Sequence, residues 1–432
     1  MFREALYKIE NWSNNQNRKP LIIRGARQVG KTYLVRYLSR LRKSYSYFEL
    51  NFERNPELNK IFEANYDVKR IISELEIWLG KEINTKEDLL FFDEVQSCPR
   101  ALASMRYFYE EMPELRLIAA GSLLEFTLGD IPFPVGRVEL MNIYPMTFSE
   151  FLIALGQELL AKKIKEGQIQ SELIHNRALD YLKKYFIVGG MPECVLNYSQ
   201  NSSFKQVLEV QKDLLDTYRQ DFVKYKPRVD GNCLSTVLNS LAKNIGNQIK
   251  YSSLCSDYSN PTIHKAFDVL EKAELTYKVK STSPSGLPLG ASASSKKFKA
   301  IFLDVGLLSA ILGYQIINIE NIVDSSSLFN GLMAEQFVGQ ELLANNMEVY
   351  YWSRNAKSSN AEVDYLVVQN GNIVPIEVKS GSKGRLKSLH LLLEKFTNVE
   401  KSYVFNEGKF LEQSDEKIEF KALYFVSAVF GR

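Results

Sequence analysis

Between residues 20 and about 150, short apolar runs alternate with segments whose apolar positions recur every three to four residues. That alternation predicts a parallel α/β sheet. A strand buried on both faces reads as a continuous apolar run, and its crossover reads as an amphipathic helix. The expected strands are PLIIRG, SYFELNF, DLLFFDE and LRLIAAGS. From about 151 to 227 the pattern becomes helical. It is interrupted by VGGMPE at 188–193, a tight turn, and carried by LLDTYRQDFVKYKP to a stop at Pro227.

Residues 231–280 predict a compact helical series: CLSTVLNSLAKNIG, YSSLCSDY and NPTIHKAFDVLEKAEL, the last with Asn260 as its cap and Pro261 opening the helix. TYKVKS then predicts a strand, SPSGLPLGASASSKK a loose turn region, and FKAIFLDVGLL a strand followed by a helix. Three helices and a hairpin with a loose tip follow the order of a winged helix. Beyond residue 330 the pattern gives a helix (GLMAEQFVGQELLANN), then three strands (EVYYWS, EVDYLVVQN, NIVPIEVKS), a helix (LKSLHLLLEKF) and a strand (KSYVFNE). Asn370 and Gly371 predict a hairpin turn between the second and third of those strands.

Composition narrows the class without naming a partner. Of 432 residues, 45% are hydrophobic and 24% charged, as in a globular chain of several domains. Fifty-four basic residues nearly balance 51 acidic ones, so a nucleic-acid surface would have to be a local patch. Cys98, Cys194, Cys233 and Cys255 are scattered, as are His175, His264 and His390, so neither a disulfide framework nor a zinc spacing is expected. The opening MFREALYKIENWSNN patterns as an amphipathic helix without a signal peptide's apolar core, and no apolar run approaches bilayer length. The expectation is a soluble, cytoplasmic protein with no membrane partner.

Two stretches carry candidate chemistry. GARQVGKT, residues 25–32, fits G-x-x-x-x-G-K-[ST] between an apolar strand and a helix, the setting a phosphate-binding loop requires. Backbone N–H groups of Gly25, Ala26, Arg27, Gln28, Val29 and Gly30 would cradle phosphates at the positive end of the helix. Lys31 would reach the β- and γ-phosphates, and the Thr32 hydroxyl would ligate Mg2+. In LLFFDE, Asp93 would join the magnesium shell and Glu94 would orient the attacking water. Ser122, ending LIAAGS, is a candidate γ-phosphate sensor, and Arg137 in VGRVEL a candidate arginine finger from a neighbouring subunit.

The second stretch is PIEVKSG. Glu377 and Lys379 interrupt an apolar strand two positions apart, so they share one face. If this strand pairs with EVDYLVV through the Asn370–Gly371 turn, Asp364 joins Glu377 on that face. Two close carboxylates repel, and a divalent cation keeps both ionised. Glu335, on the preceding helix, would complete an oxygen shell for a second Mg2+ or for Mn2+, with Lys379 beside it. The alternative is a buried ion-pair cluster in a domain without chemistry. Lys383, Arg385 and Lys387 form a basic patch nearby, suited to phosphate contact.

Taken together, GARQVGKT, FFDEVQ, GSLLEF, GRVEL with YPMTFSEF, GGMPE, FLDVGLL, and EVDYLV with PIEVKSG resemble a prokaryotic family of AAA-like P-loop ATPases across nearly the whole chain. The resemblance implies an ASCE-type parallel sheet with an extra strand between the P-loop strand and the acidic strand. It also implies ATP as the nucleotide and a C-terminal α/β domain of the restriction-endonuclease-like, PD-(D/E)XK type. Helix Glu, strand Asp, then Glu-x-Lys is the order of those nucleases, although Val363 stands where their pattern has proline. The expected division is an ATPase domain over 1–150, a helical lid or connector over 151–229, a winged-helix-like domain over 230–325 and the nuclease-like domain over 326–432. Three functions follow. One is an ATPase whose nucleotide state controls a module acting on DNA. Another is a nucleotide-gated switch that docks DNA or protein without chemistry. The third is a homo-oligomeric motor or loader.

Overall fold

Strand β1, Leu21–Arg24, is an inner strand of the first sheet, with a neighbour on each side, and its Leu21, Ile22 and Ile23 are apolar and buried. The computed structural model describes residues 1–42, 46–122, 124, 136–222, 229–313, 327–356, 359–380, 386–408 and 416–431. The chain divides into two compact units, Met1–Tyr144 and Pro145–Arg432. Pro227, Lys383, Arg385 and the expected boundary near 325 fall outside the described residues.

In the first unit, β1 is joined by β2 (Tyr47–Asn51), β3 (Leu89–Asp93), β4 (Arg116–Ala120) and β5 (Glu139–Asn142) in the order β2-β3-β4-β1-β5. All four pairings are parallel, with Leu21 level with Ile118 and Glu139, and Leu89 level with Tyr47 and Arg116. Every residue of β3 is buried, as a central parallel strand requires. Phe92 meets Phe52, Phe62 and Phe108 edge-to-face at 5.6–6.1 Å, and these rings anchor the core on one side of the sheet. The expected extra strand is β4, between the P-loop strand β1 and the acidic strand β3.

Helices open the second unit. Thr147 and Glu150 make a reciprocal capping box at the start of the helix Phe148–Ala154. The GGMPE turn then proves to be part of a buried polar knot. Gly190 N–H donates to Asp304 Oδ2 at 2.6 Å, and Leu307 N–H donates to Asp304 Oδ1 at 3.0 Å. A Cβ on Gly189 would lie 2.1 Å from Asp304 Oδ1, and Gly189 has φ +73°, so glycine is needed twice over. Met146 N–H donates to Gly190 O, and Gln340 bridges Val305 N–H to the Tyr185 hydroxyl. GGMPE, YPMTF and FLDVG are therefore three parts of one packing element.

Residues 231–302 differ in detail from the expectation. The cap of the helix Asn260–Lys272 is Ser259, whose hydroxyl accepts from Thr262 N–H, and not Asn260. The YSSLCSDY segment contributes one 3-10 turn, Tyr251–Ser253, in place of a full helix. The hairpin β6 (Thr276–Ser281) and β7 (Ser294–Phe302) belongs to the C-terminal sheet. That sheet has the order β12-β11-β10-β9-β8-β6-β7, with β8 at Tyr350–Ala356, β9 at Ser359–Gln369, β10 at Asn372–Val378, β11 at Ser402–Asn406 and β12 at Ile418–Ala422. The parallel pairing of Lys280 with Tyr350 joins hairpin to sheet. So the residues expected as two domains, 230–325 and 326–432, share one continuous sheet. Asn370 and Gly371 have φ +50° and +81°, the doubly left-handed turn that closes the β9–β10 hairpin.

Candidate functional site

The loop after β1 is shaped by steric necessity. A Cβ on Gly25, at φ +152°, would sit 2.3 Å from the Ile143 carbonyl oxygen. Gly30, at φ +95°, opens the helix Lys31–Leu41, which has no side-chain cap and no acid in its first turn. Its amino end offers backbone N–H groups and the positive end of the helix dipole, the ingredients of an anion site. Lys31 is buried, and its Nζ donates to the Gly25 and Ala26 carbonyls at 2.9 and 2.8 Å. Arg3 braces the loop from outside, donating from Nη1 to Val29 O at 2.7 Å.

The end of β3 brings the acids to this loop. Asp93 is buried, with Thr32 Oγ1 donating to its Oδ1 at 2.9 Å and Asn51 Nδ2 donating to its Oδ2 at 3.0 Å. Burial raises the Asp93 pKa. The Thr32 hydrogen bond opposes that shift, and the charges of Glu94 and Glu49 add to it. Glu94 takes the left-handed conformation, φ +50°, and Gln96 Nε2 donates to its Oε2 at 2.6 Å. Ser122 is buried just past β4, where Arg27 Nε donates to its Oγ at 3.4 Å. The structure thus gathers Arg27, Lys31, Thr32, Asp93, Glu94 and Ser122 at the carboxyl edge of the parallel sheet, the edge where such sheets bind ligands.

Arg137 is not among them. It precedes β5, whose Glu139 is level with Leu21 at the start of β1, so it lies at the opposite edge of the sheet. The four residues of β1 put roughly 13 Å of strand between that edge and the loop. Arg137 is exposed there, with its Nε 3.2 Å from Glu110 Oε1, an oxygen that Arg106 also pairs at 3.1 Å. It cannot serve its own chain's loop from that position.

The C-terminal acids converge, but on a lysine. Ile376 is level with Tyr365, so one step further along the antiparallel register sets Glu377 opposite Asp364. Lys299, on β7 and 2% exposed, crosses the Tyr351 ring and reaches three carboxylates. Its Nζ lies 2.6 Å from Glu335 Oε1, 2.7 Å from Glu362 Oε1 and 3.4 Å from Asp364 Oδ1. Burial opposes the ammonium charge, but Glu335, Asp364 and Glu362 outweigh it and hold the Lys299 pKa well above the ordinary lysine value. Two of the three remaining oxygens have donors of their own: Gln248 Nε2 serves Glu362 Oε2 at 2.6 Å, and Val378 N–H serves Asp364 Oδ2 at 2.8 Å. Lys379 pairs with Glu377 Oε1 at 2.5 Å, while Glu377 Oε2 is buried with no hydrogen bond among the described residues. No group of three or more His, Cys, Asp or Glu among the described residues is arranged to hold a metal ion.

Sequence reasoning missed Lys299, Glu362 and Asn51. Lys299 interrupts the apolar run FKAIF, which was a visible signal, but its partners come from the helix Ser327–Ala344 and strand β9. Glu362 stands two residues from Asp364 and so shares its face. Asn51 ends β2, and only the β2–β3 register sets it level with Asp93.

Residues 17–152 match the sequence profile of the AAA domain, while 179–316 and 330–425 match two domains of unknown function (DUF8612 and DUF4143). An uncharacterized protein of Haemophilus influenzae is 24% identical over 412 residues, covering 91% of this chain and 90% of its own. Among solved structures, the Walker-type ATPase of Pyrococcus abyssi has a TM-score of 0.46 at 17% identity, covering 72% of this chain and 95% of that one. The Aeropyrum pernix ORC2 protein has a TM-score of 0.35 at 11% identity, covering 73% and 94%. Among the described residues no helix is long and apolar enough to cross a membrane. With its strand order and its match to the AAA-domain profile, the amino-terminal unit is an AAA-like P-loop ATPase domain on an α/β parallel sheet.

Proposed function

We propose that this chain binds ATP with Mg2+ at residues 25–32, hydrolyses it, and uses its nucleotide state to gate a C-terminal binding module that performs no metal-dependent chemistry. The observation that carries the ATPase half is the Thr32–Asp93 hydrogen bond beside a buried Lys31, which assembles hydroxyl, carboxylate and ammonium at one sheet edge. Those residues fit the cofactor: Thr32 and Asp93 would hold Mg2+, which supplies charge neutralisation of the phosphates when bound. Lys31 exchanges its loop carbonyls for phosphate oxygens. Glu94 orients water for attack on the γ-phosphorus and accepts its proton as the bond to the ADP oxygen breaks. Ser122 senses the γ-phosphate, and Arg137 acts only in trans, at a neighbouring copy of a homo-oligomer. ATP turnover by the purified chain, lost in Lys31→Ala, tests this half.

The second half rests on Lys299. A buried ammonium against Glu335, Glu362 and Asp364 balances the charge that a divalent cation would otherwise balance. This favours the switch that docks DNA or protein over the metal-dependent nuclease. The winged-helix order of residues 231–302 is consistent with docking, and Lys387 supplies part of the basic patch. Cleavage remains a second reading on one observation, the buried and unpaired Glu377 Oε2. Incubating linear, single-stranded, forked and four-way DNA with manganese or magnesium separates the two. Binding without cleavage, unchanged in Glu377→Ala, supports the switch; cleavage lost in that variant overturns it.

A further inference from the structure

Gln96 has no role in the nucleotide chemistry above, yet its placement is costly. Its Nε2 donates to Glu94 Oε2 at 2.6 Å, while its Oε1 is buried with no hydrogen-bond partner among the described residues. An orphaned buried acceptor lowers stability, because it has given up water without gaining a partner. The amide oxygen is also wedged against the end of β4: a Cβ on Gly121 would lie 2.3 Å from it. Gly121 joins β4 to Ser122, so a single side chain spans from the acid proposed to orient water to the turn carrying the proposed γ-phosphate sensor. Glu94 itself sits at φ +50°, a conformation that non-glycine residues adopt at a cost and that clusters at functional sites.

These three features share one geometric consequence. Gln96 engages one oxygen of the Glu94 carboxylate and leaves the other for a water molecule. It can do so only while residue 121 lacks a side chain. We infer that Gln96 is a positioning residue for ATP hydrolysis, holding the Glu94 carboxylate in register with the Gly121–Ser122 turn. The inference rests on the ATPase reading given under Proposed function. A residue that merely closed the Val95–Ser97 turn would have no need of the Glu94 side chain, or of a glycine on another strand.

The test is steady-state ATP turnover by the full chain with Mg2+, comparing wild type with Gln96→Ala, Gln96→Asn, Gly121→Ala and the double variant Gln96→Ala/Gly121→Ala. Lys31→Ala serves as the blank, and binding of a fluorescent ATP analogue shows that each variant is folded. In Gln96→Ala, kcat falls about tenfold while KM stays within about twofold, because orientation of a general base is lost and phosphate binding is not. Gln96→Asn, one methylene short, does not restore it. Gly121→Ala reduces kcat similarly, because its methyl displaces the amide. The double variant is no slower than Gln96→Ala, since the closest clash has gone with the side chain and the remaining contact, Leu124 Cδ2 at 2.9 Å, is the end of a side chain that can turn aside. Wild-type kcat in Gln96→Ala, or losses that multiply in the double variant, would overturn the inference. Wild-type turnover no faster than Lys31→Ala would instead overturn the ATPase reading, and this inference with it.

Discussion

Two strand acids, Asp93 at the end of β3 and Asp364 midway along β9, both follow apolar neighbours in sequence and meet opposite surroundings. Among the described residues the hydrogen-bond donors to Asp93 are neutral, the Thr32 hydroxyl and the Asn51 amide, and its pKa rises with burial. Asp364 shares a buried ammonium with Glu335 and Glu362, and accepts Val378 N–H as well. The first carboxylate is hydrogen-bonded but not charge-compensated, which suits it to a site that takes a cation with its substrate. In the second cluster, the cation is part of the chain. Counting acids therefore does not identify a metal site; what matters is whether the protein itself supplies the positive charge.

That contrast can be broken by experiment, beginning with the largest effect. Lys31→Ala should reduce ATP turnover to background, since the residue is the sole expected contact of the β- and γ-phosphates with an ammonium. A steady-state phosphate-release assay reads this directly. Lys299→Met should leave three partly buried carboxylates without their cation and destabilise the second unit by about 3 kcal/mol, measured by urea unfolding. An unchanged midpoint would mean that the cluster had another source of compensation.

Asp304 gives a smaller, pH-dependent effect. Burial pushes its pKa up to about 6 from the ordinary 3.8, despite N–H groups of Gly190, Leu307 and Gly306 and the Gln340 side chain pulling it down. A carboxyl raised in the folded state binds its proton more tightly there than when unfolded. Its stabilising contribution is therefore full below the unfolded value and is lost as pH rises through the folded one. The stability of wild type minus that of Asp304→Asn should fall by about 2–3 kcal/mol between pH 4 and pH 7. A flat difference would place the proton elsewhere in the knot. Smallest of all, Arg137→Ala should leave the thermal midpoint unchanged, because an exposed ion pair with Glu110 contributes little. A loss of turnover in that variant, appearing only at concentrations where copies associate, would establish its role in trans.

Local signals served some elements better than others. The P-loop strand, its glycines and the acidic strand were legible because each is a short segment whose chemistry follows from its own spacing. The β9–β10 hairpin was legible for the same reason, through Asn370 and Gly371. The cap of the helix Asn260–Lys272 was displaced by one residue, because Ser259 and Asn260 are both good caps and Pro261 is tolerated at either of the first helical positions. Strand β12, Ile418–Ala422, and the final helix Val426–Phe430 carried no periodic signal strong enough to stand out. GGMPE read as an isolated turn because its partners, Asp304 and Met146, lie 114 and 44 residues away from Gly190.

What the sequence determined by itself was the phosphate-binding loop, the acid pair of β3 and the parallel α/β character of the first unit. Each depends on residues within a few positions of one another and on backbone geometry that glycine alone permits. Tertiary structure decided the rest. It set Asn51 beside Asp93 and Gln96 against Gly121, carried Arg137 to the far edge of its sheet, and merged the β6–β7 hairpin into the C-terminal sheet. Above all, it brought Lys299 to Glu335, Glu362 and Asp364. Charge compensation acts over a few ångströms of space, not along the chain, so no spacing of acids could reveal the lysine that completes them.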